Sequence, residues 1–284
     1  MNHRIIARLD IKGPNLVKGI HLEGLRVLGK PEDFARYYYE NGADELLYQD
    51  VVASLYERNS LSEIISKTAK EIFIPLTVGG GLRTIDDINK VLRAGADKVA
   101  INTAAIKNPN LIKEASRVFG SSTIVIAIEA IRQNDGQYFA YTDNGREHTG
   151  IEVCEWAKKV ETLGAGEIIL TSVDNEGTGK GFNLELIKSI TNIVSIPVIA
   201  HGGANKPEHI YKVISDGEAD AVAISSMLHY NFHNKNIDFA KFSNEGNIDF
   251  IKNNTNKKHN NLKTQNINTI KKYLKDKNIK CRTK

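Results

Sequence analysis

The sequence predicts an α/β protein whose fold class is a (β/α)8 barrel, a TIM barrel built from two similar half-barrels. Short apolar and β-branched runs alternate with longer amphipathic stretches over the first 230 residues. Eight such pairs can be counted, and segments of the first half recur in the second. The length of 284 residues also suits a single barrel, since this fold needs about 250 residues.

Eight strands are predicted from the apolar runs. They cover residues 4–10, 45–50, 73–78, 98–101, 123–129, 167–172, 198–201 and 221–225. Helical periodicity is clearest over residues 33–41, 85–94, 152–163 and 184–191. A strand followed by a helix, repeated eight times, favours a closed barrel over an open doubly wound sheet.

The internal repeat sets the symmetry of the predicted barrel. Residues 42–47 resemble residues 164–169, and residues 74–81 resemble residues 196–203, at an offset of 122 in both cases. Two four-strand halves would therefore place equivalent residues on opposite sides of the barrel. By this symmetry Asp10, at the end of strand 1, faces Glu129, at the end of strand 5.

The C-terminal part of the chain differs in composition from the rest. We expect a single domain over residues 1–284, with a polar insertion at 231–266 and a basic C-terminal helix at 267–284. Residues 251–284 contain eleven Lys or Arg and one acid, Asp276. This segment lacks the interleaved aromatic residues that single-strand binders use, so we expect a solvated surface and no nucleic-acid partner.

Composition also indicates the cellular compartment and the kinds of site to expect. The N-terminus carries charged residues where a signal peptide needs an apolar region, and no apolar run approaches the ~20 residues of a membrane span. Cys154 and Cys281 have no metal-ligand spacing and are too few for a disulfide framework. We therefore expect a cytoplasmic protein with no metal site, no cofactor and no membrane partner.

Glycines and hydroxyl residues follow several predicted strands, at the end of a barrel where active sites lie. Glycine lets backbone N–H groups approach an anion, and hydroxyls add further donors. The duplicated pattern predicts two phosphate sites and a long bisphosphorylated substrate, although a glycine pair after a strand is often only a tight turn. The candidate substrate-binding residues here are Gly80, Gly81, Asn102, Thr103, Gly177, Thr178, Gly202, Gly203 and Ser225.

Two acids lie between the predicted phosphate sites. Asp10 and Glu129 are the candidate catalytic residues, acting as general acid and general base. The alternative is structural, because a strand-end acid often caps a helix or pairs with a lysine such as Lys12 or Lys18. We expect Asp10 to be solvated and to pack little, so that Asp10→Asn leaves the melting temperature nearly unchanged.

Several motifs resemble the cyclase-subunit (HisF) family of imidazole glycerol phosphate synthase. They are residues 4–10, 16–19, 78–81, 95–105 and 164–172, and the likeness runs from residue 4 to about 230 and resumes over 270–282. The resemblance implies a lyase of histidine biosynthesis that uses ammonia from a glutaminase partner, in a heterodimer. Its substrate is a phosphoribulosyl-formimino aminoimidazole carboxamide nucleotide, converted to imidazole glycerol phosphate and aminoimidazole carboxamide ribotide.

The resemblance also assigns residue roles. Asp10 matches a catalytic aspartate of the family, and Lys18 and Asp50 match supporting active-site residues. At the opposite end of the barrel the family has a charged gate around an ammonia entrance. The matching residues in this sequence are Arg4, Glu45, Lys98 and Glu167.

Five positions depart from the family pattern. Glu129 and Glu176 stand where the family has aspartates, Arg8 where it has Cys, His21 where it has Asn, and His201 where it has Ser. Three hypotheses therefore stay open. The chain is the histidine-pathway cyclase, or a paralogous ammonia-using subunit that amidates a surface-polysaccharide sugar, or a non-catalytic barrel that only activates a glutaminase.

Overall fold

The computed structural model describes residues 2–53, 61–236 and 265–282. Within these ranges the chain forms strands β1–β12 and helices α1–α10, numbered in chain order. The strands span Arg4–Lys12, Asn15–Ile20, Glu23–Gly29, Glu45–Asp50, Leu76–Gly79, Lys98–Ile101, Ile124–Arg132, Tyr138–Thr142, Glu147–Glu152, Glu167–Ser172, Val198–His201 and Ala221–Ile224. The helices span Pro31–Glu40, Ser62–Ala69, Ile85–Arg93, Thr103–Lys107, Asn110–Phe119, Val153–Thr162, Leu184–Thr191, Pro207–Ser215, Ser226–Asn236 and Ile267–Asp276.

Eight parallel strands close into a barrel, which confirms the predicted fold class. The hydrogen-bonded order is β1-β4-β5-β6-β7-β10-β11-β12, and β12 pairs back onto β1. Each predicted strand is present at nearly the expected bounds. The third strand begins at Leu76 rather than at residue 73, because Pro75 has no N–H for a ladder and Phe73 is exposed.

Two antiparallel hairpins were not predicted from the sequence. β1 runs on past Asp10 to Lys12 and pairs with β2, which pairs with β3. β7 likewise runs on to Arg132 and pairs with β8, which pairs with β9. The two hairpins extend the first and fifth barrel strands, so they occupy equivalent places over the barrel mouth in the two halves.

Strand alternation sorts the side chains of β1 into levels along the barrel axis. Ile6 belongs to an apolar layer inside the barrel, whose other members are Leu47, Ala100, Val125, Ile169, Ile199, Ala221 and Ala223. Since strand side chains alternate with a period of two, Arg4 lies on the same inward face below this layer, and Arg8 and Asp10 lie above it. Residues of the other face, such as Ile5 and Leu9, pack in the larger core with the helices.

A repeated segment lies at the lower end of the barrel strands; it reads Gly-Ala-Asp at residues 42–44 and 95–97 and Ala-Asp at residues 219–220. Asp44, Asp97 and Asp220 each accept a backbone N–H from the start of a neighbouring strand, at 2.8, 2.8 and 2.9 Å. The fourth copy has Gly166 instead, because a Cβ at that position would overlap the Ser121 carbonyl oxygen. The aspartates of the repeat are therefore explained by the backbone N–H groups that they bind at the starts of the strands.

The C-terminal segment folds back onto the lower end of the barrel. Lys271 Nζ, on α10, donates to Asp44 Oδ1 at 2.6 Å, and Arg282 Nε lies 3.3 Å from the same oxygen. His3 N donates to Lys280 O at 2.8 Å, so the first and last described segments meet beside the start of β1. Of the expected insertion, residues 237–264 lie outside the described residues.

Asp44→Asn is expected to lower the free energy of unfolding by roughly 3 kcal/mol, because the buried ammonium of Lys271 loses its carboxylate partner. Asp97→Asn is the matched control: it has the same place in the repeat, and the amide oxygen can still accept the Leu76 N–H, so its cost should stay below about 1 kcal/mol. Urea denaturation of both variants measures the difference. Equal costs would contradict the proposed anchoring of the C-terminal segment.

Candidate active site at the barrel mouth

The four charged residues that were expected at the lower end of the barrel form a closed ring. Arg4 Nη1 contacts Glu45 at 2.9 Å and Glu167 at 3.1 Å. Lys98 Nζ contacts the same two acids at 3.2 and 3.1 Å, so that the charges alternate in sign around the ring. Thr77 Oγ1 also donates to Glu45 at 2.5 Å. The structure thus brings all four predicted residues together, below the apolar layer.

A buried chain of alternating charges lies at the opposite end, above the apolar layer. Arg8 Nε donates to Asp10 Oδ1 at 2.8 Å, and Lys18 Nζ donates to Asp10 Oδ2 at 3.2 Å. Lys18 also forms an ion pair with Glu176, which accepts the Leu22 N–H at 3.2 Å. All four charged residues are buried, with at most 4% of their surface exposed. The predicted Lys18 and Glu176 therefore belong to one network with Asp10.

The expectation that Asp10 is solvated and packs little was wrong, because Asp10 is only 1% exposed. The unpredicted hairpin brings Lys18 over it, since Asp10 pairs with Val17 across β1 and β2. Burial by itself would raise the pKa of Asp10, but the charges of Arg8 and then Lys18 outweigh burial and hold that pKa well below its usual range. Asp10 is therefore a fixed negative charge at neutral pH.

Arg8 extends from β1 into the bore of the barrel, toward β11 and β10. Its Nη1 donates to His201 Nδ1 on β11 at 3.2 Å and lies 3.5 Å from Thr171 Oγ1 on β10. Burial, followed by the charges of Arg8 and Lys18, lowers the pKa of His201 well below its usual value. His201 is therefore neutral and can accept this hydrogen bond. Arg8 and His201, two of the five positions that depart from the family pattern, therefore contact each other directly.

Glu129 has a different environment from Asp10. It lies on β7, accepts the Gly145 N–H at 2.7 Å, and is 9% exposed. Burial raises its pKa to about 7, against the opposing effects of Arg8 and of the Gly145 N–H. A carboxyl with that pKa is half protonated near neutral pH, so it can both give and take a proton.

An open cavity of about 270 Å³ lies beside Glu129, at the ends of β4, β5 and β6. Among its lining residues are the predicted Asp50, Gly80, Gly81, Asn102 and Thr103. Arg83, Lys107 and Asn144, which were not predicted from the sequence, also line it. Arg83 could have been found because it follows the glycine run at a predicted strand end, and Lys107 because it lies one helical turn after Asn102-Thr103. Glycine turns, hydroxyls and two cations make this cavity suitable for a phosphate group.

The symmetry-related pocket in the second half is almost closed. It is lined in part by the predicted Gly177, Gly202, Gly203 and Ser225, and its volume of about 10 Å³ is near the minimum for one water molecule. Glu176 and His201, two of the family departures, also line it. The predicted Thr178 turns away to donate to Asn175 O at 2.7 Å. The two predicted phosphate sites are therefore unequal in this structure.

His21, the remaining departure, lies at the tip of the first hairpin. Its backbone N–H donates to Glu176 O at 3.0 Å, and its ring Nδ1 is 2.9 Å from Val173 O. It therefore holds the hairpin against the loop after β10. All five positions that depart from the family pattern fall in or beside the same group of contacts at the mouth.

In the described parts of the chain no cluster of three or more His, Cys, Asp or Glu could hold a metal ion, and no helix could span a membrane.

Comparison with known proteins finds similarity to one family and to its named members. A family described as histidine biosynthesis protein matches residues 4–234. The chain is 62% identical over 207 residues to the imidazole glycerol phosphate synthase subunit HisF of Legionella pneumophila, covering 73% of this chain and 98% of that protein. It is 48% identical over 249 residues to the subunit of the same name from Methanocaldococcus jannaschii, covering 81% and 92%. For the Prochlorococcus marinus subunit the identity is 51% over 228 residues, covering 80% and 89%.

Asp10→Asn is expected to destabilise the protein by roughly 3 kcal/mol, because it removes the carboxylate that pairs with two buried cations. Asp174→Asn is the control, since Asp174 is an exposed acid at the same end of the barrel that accepts the Arg132 N–H. Its cost should stay within about 1 kcal/mol. Thermal and urea denaturation measure both. An Asp10→Asn variant as stable as the wild type would mean that Arg8 and Lys18 find other partners.

Proposed function

This chain belongs to the HisF family of imidazole glycerol phosphate synthase subunits, and we propose that it performs the ammonia-dependent cyclisation of that synthase with Glu129 as the proton-transferring residue. The product pair is imidazole glycerol phosphate and aminoimidazole carboxamide ribotide, formed in histidine biosynthesis. The substrate has a phosphate group at each end, so it needs an anion site on either side of the reacting atoms.

The observation that carries this proposal is the position of Glu129 on the wall of the open cavity. A phosphate held near Thr103 and Lys107 would place the rest of the substrate toward the centre of the mouth, next to this carboxyl. General acid–base catalysis works best when the pKa of the group lies near the working pH. Its pKa of about 7 makes Glu129 suited to that task.

Asp10, Lys18 and Glu176 have a supporting role in this proposal. Their mutual ion pairs fix them rigidly, and Asp10 is ionised over the whole physiological pH range. A fixed negative charge at the centre of the mouth stabilises positive charge that develops on the substrate during cyclisation. Lys18 lies between Asp10 and Glu176 and pairs with both carboxylates.

The second phosphate must bind near Gly202, Gly203 and Ser225. This pocket, which Glu176 and His201 help to line, has a volume of only about 10 Å³, near the minimum for one water molecule, so we expect lining side chains such as His201 to move when the anion binds. The glycine turns and the serine hydroxyl supply backbone and side-chain donors for the anion. We therefore expect binding at this pocket to be coupled to a rearrangement of the Arg8 contacts.

The charged ring suits a glutaminase partner at the lower end of the barrel. The family name implies such a partner, since HisF is the synthase subunit. The ring surrounds the barrel axis directly below the apolar layer, and an uncharged ammonia molecule can cross an apolar layer more readily than an ion can. We propose that ammonia enters between these four residues and that the two subunits form a heterodimer.

One observation favours a second candidate function, the amidation of a sugar that carries a single phosphate or none. The second anion pocket is nearly closed, and Arg8, which pairs with Asp10, reaches Thr171 on that side of the barrel. A substrate with one anionic end would use the open cavity alone. A non-catalytic, glutaminase-activating barrel has less support, since docking requires neither the open cavity nor a carboxyl that titrates near neutral pH.

Turnover of the purified chain with ammonium salt and the family's bisphosphate substrate tests the main proposal. Formation of both products supports it. No turnover, together with tight binding of inorganic phosphate to the open cavity, would favour a substrate with one phosphate group. Adding the purified glutaminase subunit then tests whether the barrel stimulates glutamine hydrolysis without any chemistry of its own.

Glu129→Gln is expected to lower kcat/KM by about 10²- to 10⁴-fold, because the variant cannot transfer a proton at that position. In the wild type, ionisation of Glu129 with a pKa of about 7 should appear as a limb of the pH profile with that midpoint. The limb should be absent from the residual activity of Glu129→Gln. Glu147→Gln, at an exposed position on the nearby hairpin, is the control. A limb that persists in Glu129→Gln would assign the titration to another group.

Lys98→Ala is expected to reduce glutamine-dependent turnover while ammonium-driven turnover stays largely intact, because the ring loses one of its two cations at the ammonia entrance. Lys188→Ala removes an exposed lysine, paired with Glu218 outside the ring, and should change neither activity. The two activities are measured in parallel with the glutaminase present. A parallel loss of both would show that Lys98 serves the stability of the barrel instead.

A further inference from the structure

The tip of the second hairpin lies over the barrel mouth in an uncommon backbone conformation. Asp143, Asn144 and Gly145 have φ values of 52°, 63° and 78°, and two of these residues are not glycine. Asparagine and aspartate tolerate this left-handed region better than other residues with a side chain. Asn144 is 8% exposed and lines the open cavity, so the tip faces the site rather than solvent.

Two backbone N–H groups of this tip are directed at site residues. Gly145 N donates to Glu129 Oε2 at 2.7 Å, and Asp143 N donates to Thr103 Oγ1 at 3.2 Å. The first acceptor is the proposed proton-transferring carboxyl, and the second is a candidate phosphate-binding hydroxyl. The tip is therefore bonded to both parts of the site.

Asn144 connects this tip to the first hairpin. Its side-chain Nδ2 donates to Leu22 O at 2.7 Å in a buried hydrogen bond. Leu22 is itself held by its N–H bond to Glu176, at 3.2 Å. The side chain of Asn144 thus joins the second hairpin to the buried charge network through a single amide donor.

We propose that Asn144 is a positioning residue: by bonding to Leu22 it fixes the hairpin tip so that the Gly145 N–H points at the Glu129 carboxylate. The proposal rests on the role of Glu129 under Proposed function. It extends that role by naming the contact that sets the protonation of Glu129. Asn144 acts through the hairpin tip and touches neither the transferred proton nor the reacting atoms.

The electrostatic consequence has a definite sign. Burial raises the pKa of Glu129, whereas Arg8, the Gly145 N–H and the Asn102 side chain lower it and Asp143 raises it. A hydrogen bond from Gly145 favours the ionised form. If the tip moves away, that bond is lost and the pKa of Glu129 rises above its present value of about 7.

The test compares Asn144→Gly with Asn278→Gly. Asn278 has a φ of 62° and is exposed near the C-terminus, far along the chain from the mouth, so it controls for replacing a left-handed asparagine. The pH dependence of ammonium-driven kcat/KM is measured for both variants. In Asn144→Gly the midpoint of the Glu129 limb should move upward by roughly half to one pH unit, with a lower kcat. In Asn278→Gly it should not move.

A second readout separates this proposal from the proposed activity. The ionisation of Glu129 can be followed by NMR of protein carrying ¹³C-labelled glutamate, with its signal assigned by its absence in Glu129→Gln. The same upward shift in Asn144→Gly supports the positioning role even if the bisphosphate substrate is not turned over. An unchanged midpoint in this titration overturns it.

Asn144→Ala and Asn278→Ala provide a second matched pair. Alanine is disfavoured in the left-handed region at either position, so both variants carry a similar backbone strain and only Asn144→Ala loses the bond to Leu22. An upward midpoint shift in Asn144→Ala alone supports the proposal. If both Asn144 variants fail to fold while both Asn278 variants fold, Asn144 is a folding residue and the positioning role is rejected.

Discussion

Strand alternation in a closed parallel barrel is the constraint on which the rest of this molecule depends. Residues two apart on one strand share the inward face, so Arg4, Ile6, Arg8 and Asp10 occupy successive levels on the axis. The charged ring, the apolar layer and the catalytic mouth are therefore consequences of one register. A shift of that register by one residue would turn all four side chains into the helix layer.

Above the apolar layer, the protein separates two carboxyl groups by their surroundings. Asp10 is buried between cations and remains ionised, whereas Glu129 is buried beside hydrogen-bond donors and titrates near neutral pH. Both carboxyl groups are buried, yet their pKa values shift in opposite directions, because only Asp10 has two direct cationic partners. Arg8 accounts for much of this difference, since it bonds Asp10 directly and acts on Glu129 only from a distance.

The barrel could be predicted from the sequence because it depends on local pattern, whereas the four residues of the charged ring were expected from the family resemblance. Alternating runs gave the eight strands, and the repeat gave their symmetry. The burial of Asp10 could not be predicted, because Lys18 reaches it through a hairpin whose strands have little apolar alternation, as Glu23–Gly29 is mostly exposed or half-buried. The inequality of the two anion pockets could not be predicted either, because the repeat makes the two sites equivalent, whereas Glu176 and His201 line only the smaller pocket.

Residue 3 and residues 280–282 meet beside the charged ring, which has a consequence for how a partner could be attached. His3 is bonded to Lys280, and Arg282 reaches Asp44, the residue before a member of the ring. A protein fused before His3 or after Arg282 would emerge on the ring face at either end. A short flexible tether there would hold a second protein at a millimolar effective concentration, which makes this barrel suited to single-chain fusions and to circular permutation through the joined ends.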